Sequence, residues 1–138
     1  MVLYSKVKNI NIMVLVGYFK IIKIMILYHM TPKRNLESIL NNGLLPGYSK
    51  GLYIYGNKKL NKVYLTNNVL KIVSIQSGYE WIKDNDVIIL EIDIDEKYFE
   101  PCKYEYSGTY TYSDFEFVTD IIKPEQIKKY YDYKDNSD

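Results

Sequence analysis

The chain has 138 residues, 47% of them apolar and 25% charged, enough to bury one core, and a single compact domain is expected. Eighteen Lys and Arg against 17 Asp and Glu leave a formal charge of +1, which excludes a bulk field steering the protein to nucleic acid or to an anionic membrane. Cys102 is the single cysteine and His29 the single histidine, so an internal disulfide and a cysteine-rich or two-histidine metal site are excluded, and no metal is expected.

Residues 10–28 (INIMVLVGYFKIIKIMILY) are strongly apolar, but Lys20 and Lys23 interrupt them short of the roughly 18 residues a spanning helix needs. Met, Ile, Leu and Tyr follow where an export signal would place small residues, so neither membrane insertion nor export is expected. Residues 1–24 are an N-terminal extension, either an appended strand or helix or a segment upstream of a true start at Met25; residues 25–133 are the domain proper and 134–138 a polar tail.

Residues 24–30 predict a strand, and Thr31-Pro32 offers an N-cap followed by proline at the first helical position. The helix runs through residues 35–40 with Leu36, Ile39 and Leu40 on one face and ends where Gly43 can take a left-handed conformation. Residues 47–61 (GYSKGLYIYGNKKLN) have the composition of a loop around one short strand and are expected to be the most mobile segment. Residues 63–66 read as a strand, after which Asn67 or Asn68 can cap a helix that carries Val69, Ile72 and Val73 and reaches Trp81-Ile82. Residues 87–94 begin as a continuous apolar run and end in alternation, the pattern of a central strand with one end at the surface and with Glu91, Asp93 and Asp95 on one face. A Lys/Glu/Tyr stretch and a turn at Ser107-Gly108-Thr109 lead to a strand at 115–118, then 122–127, then an apolar-aromatic run at 130–133. Strands outnumber helices, which predicts an α+β fold with a small antiparallel or mixed sheet and two main helices. The 16 tyrosines are a compositional bias to which no function is attached.

Chemistry is carried by an ordered set of short motifs. Tyr-His-x-Thr at 28–31 leads into Asn-Leu-x-Ser-Ile-Leu-x-x-Gly-Leu at 35–44. Val-Tyr-Leu-Thr at 63–66, Ile-Leu-Glu-Ile-Asp at 89–93 and Phe-Glu-Phe-Val at 115–118 follow, the last ahead of Ile-x-Pro-Glu-x-Ile at 122–127. Over residues 25–130 this order resembles the His-Tyr-Glu branch of the ADP-ribosyltransferase superfamily, and in particular the small mono-ADP-ribosyltransferases of bacteriophages and toxin systems. The resemblance implies a split antiparallel or mixed sheet core, NAD as co-substrate, and transfer of ADP-ribose to a protein or nucleic-acid acceptor. Carried over residue by residue, it implies that His29 hydrogen-bonds the adenosine-side ribose with Thr31 as a neighbouring hydroxyl. Tyr64 stacks on the nicotinamide ring. Glu116 accepts the 2′-hydroxyl of the nicotinamide ribose and stabilises the positive charge of the departing glycosidic bond. Asp114, two residues before Glu116, is the candidate for acceptor binding.

Arg34, the sole arginine, is either a pyrophosphate contact or an ordinary exposed helix residue; phosphotransferase relatives that hold a phosphate with several arginines are not matched. A structural reading stands beside each site residue: a satisfied lone histidine for His29, one more strand tyrosine for Tyr64, and for Glu116 an outward charge paired with a lysine. The apolar flanks Phe115, Phe117 and Val118 favour a partly buried carboxylate, which an idle group would not justify. The expected location is cytoplasmic, that of the host if the protein is viral, with a host target protein or an antitoxin as further partners. The alternatives are a non-catalytic module that binds NAD, ADP-ribose or a partner on the same fold, and a nucleic-acid binder that stacks bases on tyrosines.

Overall fold

The computed structural model describes residues 2–7, 10–15, 20–48, 61–76 and 86–133. Among them lie nine strands, β1 (Val2–Val7), β2 (Ile10–Leu15), β3 (Lys20–Pro32), β4 (Gly47–Tyr48), β5 (Asn61–Thr66), β6 (Val87–Asp95), β7 (Phe99–Tyr106), β8 (Thr109–Thr119) and β9 (Ile127–Asp132). Two short helices, α1 (Leu36–Asn42) and α2 (Val69–Gln76), and 3₁₀ turns at Lys33–Asn35, Glu96–Tyr98 and Pro124–Gln126 complete the described elements. The result is a mostly-sheet α+β fold, as the sequence predicts. The expected loop at 49–60, the helical continuation to Trp81-Ile82 and the tail 134–138 lie outside the described residues.

Every strand pairing is antiparallel, along the path β1-β2-β3-β5-β8-β7, with β6 on the other edge of β3, β9 beyond β6, and β4 on β5. β6 is the strand whose sequence announces it most clearly. Val87, Ile88, Ile89 and Leu90 are all buried, so both faces are covered there; from Glu91 onward only alternate residues are buried and one face opens. Its ladder with β3 turns Leu27, Leu90, Ile92 and Ile94 onto one face, where Val63 and Leu65 of β5 and Ile39 of α1 complete the core. Leu27, Leu90 and Ile92 are fully excluded from water. Fully burying such a side chain contributes on the order of 2 kcal/mol. β3 crosses residues 24 and 25 without a break, and its first half pairs with β2.

Three local readings are refined. Thr31 pairs with Ile88 inside the β3–β6 ladder, which holds it extended, so it does not cap a helix; its hydroxyl instead accepts from Asn35 Nδ2 at 3.3 Å. Helical backbone starts with the 3₁₀ turn after Pro32, and with only seven residues α1 buries Ile39 but leaves Leu40 37% exposed. The choice between Asn67 and Asn68 as cap of α2 falls to Asn68, whose Oδ1 accepts from the Lys71 amide at 3.1 Å. The Lys/Glu/Tyr stretch before residue 107 is strand β7, joined to β8 by Ser107 and Gly108 with φ of 50° and 79°. Two consecutive positive φ values define the type I′ hairpin turn that suits the twist of antiparallel strands. No described helix is long and apolar enough to cross a membrane.

Gly43 ends α1 with φ 77° and ψ −171°, a region open only to glycine. It also lies against the backbone of Ile122, whose amide and carbonyl exchange hydrogen bonds of 3.1 and 2.8 Å with Leu44. A Cβ on Gly43 would stand 2.1 Å from the Ile122 carbonyl oxygen. Gly43→Ala is therefore expected to destabilise the fold by about 3 kcal/mol, from backbone strain plus the clash, in urea unfolding followed by far-UV circular dichroism.

Candidate active site on β3, β5 and β8

His29, Tyr64 and Glu116, 35 and 52 residues apart in sequence, come to lie on three neighbouring strands. The register runs Glu91↔Tyr28, Tyr28↔Thr66 and Thr66↔Glu116, a row crossing β6, β3, β5 and β8. Directly paired residues share a face, as do residues two apart on one strand, so Tyr64 and Glu116 project from the same side of the sheet. They stand diagonally across β5 and β8, a relation that separates Cβ atoms by roughly 7–8 Å.

Between β3 and β5 the ladder is one pair, Tyr28↔Thr66. Two residues from that pair the Tyr64 carbonyl meets the imidazole of His29, with Nδ1 at 2.7 Å. A carbonyl only accepts, so Nδ1 carries the proton and Nε2 of the neutral ring is left with its lone pair. Desolvation holds the His29 pKa below the usual imidazole value, and the bond to Tyr64 opposes this in part. Alternation along β3 turns His29 to the side of Leu27 and Thr31, so it meets the site through the β5 seam and not side by side with Glu116.

Glu116 is 3% exposed. Burial raises its pKa, and the hydroxyl of Tyr104, which donates to Oε2, works in the opposite direction. None of the ion pairs among the described residues involves Glu116, so the outward, lysine-paired carboxylate is not what the fold builds. Its place is set by an irregularity in β8. Between the pairs Pro101↔Phe117 and Lys103↔Tyr112, β7 advances two residues and β8 five. The excess is folded around Ser113, whose Oγ accepts from the amides of Phe115 (3.2 Å) and Glu116 (3.0 Å). The other side is fastened to β5: Thr66 Oγ1 donates to the Phe115 carbonyl (2.6 Å), the Asn67 amide to the same carbonyl (3.2 Å) and Asn67 Nδ2 to the Asp114 carbonyl (3.0 Å).

The bulge breaks simple alternation, so Asp114 is exposed while Glu116 is buried. Arg34 is exposed and faces Asp86 at 3.7 Å, and nothing joins it to His29, Tyr64 or Glu116 among the described residues. Thr31 is buried two residues beyond His29 on the same side of β3. Sequence reasoning missed Tyr104, Ser113, Thr66 and Asn67. The hydroxyl and amide run of Thr66, Asn67 and Asn68 directly after an apolar strand is the one local sign that this turn bonds outward.

Past Ser113, residues 109–112 are exposed on both faces, so the end of the β7–β8 hairpin extends as a two-stranded arm with Lys103 Nζ 3.8 Å from the centre of the Tyr110 ring. No group of three or more His, Cys, Asp or Glu able to hold a metal occurs among the described residues. Compared with known proteins, the sequence matches no family model, and no curated protein matches it.

A carboxylate buried without a cation costs stability in its charged form. Because the folded pKa of Glu116 lies above the ordinary one, folded protein binds the proton more tightly than unfolded chain, and stability falls as pH rises from the ordinary carboxylate value through the raised one. Glu116→Gln keeps an oxygen for Tyr104 and has no charge to desolvate. Its stability relative to the wild type is expected to increase across that window and level off above it, in urea unfolding measured between pH 4 and pH 8.

Proposed function

We propose that the chain is an NAD-dependent mono-ADP-ribosyltransferase that cleaves nicotinamide from NAD and passes ADP-ribose to a macromolecular acceptor, protein or nucleic acid. The observation that carries this reading is the buried carboxylate of Glu116, paired with no cation among the described residues, on the same sheet face as Tyr64, with His29 bonded to the backbone of Tyr64. These are the three positions picked out by the motif order, and they are far apart in sequence.

The dinucleotide lies along the seam between β3 and β5. Nε2 of neutral His29 accepts a hydroxyl of the adenosine-side ribose, and the Tyr64 ring stacks on nicotinamide. Glu116 accepts the 2′-hydroxyl of the nicotinamide ribose. As the bond from the ribose anomeric carbon to the nicotinamide nitrogen breaks, its electron pair neutralises the pyridinium and positive charge grows on the sugar. A carboxylate held in a water-poor site opposes that charge more strongly than one in water. The acceptor nucleophile then bonds to the anomeric carbon and releases its proton.

A non-catalytic module that binds NAD or ADP-ribose is the second reading, favoured by the engagement of Glu116 with Tyr104. The two separate on incubating labelled NAD with the wild type and with Glu116→Ala, adding protein lysate, DNA or RNA as acceptor. The transferase reading expects release of nicotinamide and transfer of label, reduced by at least about 100-fold in the variant. Binding of NAD without release by the wild type under any of these conditions replaces it with the binding module.

A further inference from the structure

Two hydroxyls bear on Glu116, the phenol of Tyr104 at its carboxylate and the Ser113 side chain at its amide. The amides of Phe115 and Glu116 both donate to Ser113 Oγ, at 3.2 and 3.0 Å, which leaves the serine with its own proton to give. The Ser113 hydroxyl works against the rise in the Tyr104 pKa, and the Tyr104 phenol donates to Glu116 Oε2. Oε1 makes no bond among the described residues.

We propose that Tyr104, seconded by Ser113, is the positioning residue for Glu116, pinning Oε2 so that Oε1 is presented to a substrate hydroxyl. Its catalytic consequence rests on the transferase reading; its effect on the carboxylate does not. A carboxyl group turns freely about its last bond unless one oxygen is held, and a donor from a partly buried ring holds it with little entropy left to lose. The same donor favours the ionised form against burial, and Tyr104, itself kept protonated by burial and by Glu116, always has the proton to donate. Cys102, the β7 residue facing the bulge, is likewise held neutral by desolvation and by Glu116, and so adds no competing charge.

The test follows the Glu116 carboxyl carbon by NMR in protein labelled at glutamate, its signal assigned by its disappearance in Glu116→Gln, and alongside it the pH profile of nicotinamide release. In Tyr104→Phe, which keeps the ring, the Glu116 titration is expected to move to higher pH, and the acid limb of the profile to move with it. The turnover number should drop about tenfold with KM for NAD unchanged. Ser113→Ala shifts the titration in the same direction by less and supplies the result should Tyr104→Phe fold poorly. A Glu116 titration identical in the wild type and both variants overturns the proposal. A shifted titration in a protein whose wild type releases no nicotinamide upholds the Tyr104–Glu116 coupling and removes the transferase reading instead.

Discussion

Nine consecutive pairs, from Ile24↔Asp95 to Pro32↔Val87, tie β3 to β6. That register decides which side chains of β3 enter the core. With Leu27 opposite Ile92 and His29 opposite Leu90, the odd residues of β3 face the buried side and Tyr28 faces Glu91 on the other. A slip of one residue would exchange the two sets, bringing Tyr28 into an aliphatic core and turning Leu27 out of it, so the hydrophobic pattern of β6 holds the register against error. The seam with β5 inherits this: next to the pair at Tyr28 and Thr66, the Tyr64 carbonyl meets an imidazole that the β6 ladder has already aimed.

The far side of the seam is governed by an interruption of order. Were β8 to follow β7 in uniform register, alternation alone would set the faces of residues 113–116. The extra residues gathered around Ser113 instead set Glu116 into a position that is buried, without a cationic partner among the described residues, and reached by a phenol. A glutamine of similar size would keep an acceptor for Tyr104 and carry no charge to desolvate. The carboxylate therefore burdens the fold, and the bonds that fix the bulge come from β5 as well as from within β8.

Strong local signals made much of this legible in the sequence. The strand at 87–94, the helix ended by Gly43 and the turn at Ser107-Gly108 follow from periodicity or from a backbone that few residues tolerate. β7 was hidden because Phe99–Tyr106 mixes proline, lysine and glutamate in a strand paired on one side. The cap at Thr31 failed because a tertiary ladder outweighed a local preference. Motif order and spacing singled out His29, Tyr64 and Glu116, and their adjacency is a property of strand order that no local window contains. Tyr104 stayed out of view for two reasons: it is one of 16 tyrosines, and its bond to Glu116 depends on a bulge that no local pattern announces.

The ladder between β3 and β6 also shapes how the chain reaches this structure. The β2–β3 and β7–β8 hairpins close over a few residues, whereas joining Ile24 to Asp95 closes a loop of about seventy. Local hairpins form in microseconds, and distant strand pairing is the slow event in sheet proteins. During synthesis β3 therefore leaves the ribosome, pairs with β2 and waits with its β6 edge bare, an apolar strand whose partner has not been made. Lys23, a charge one residue before that edge begins at Ile24, is of the kind that keeps a bare edge from joining another chain while it waits.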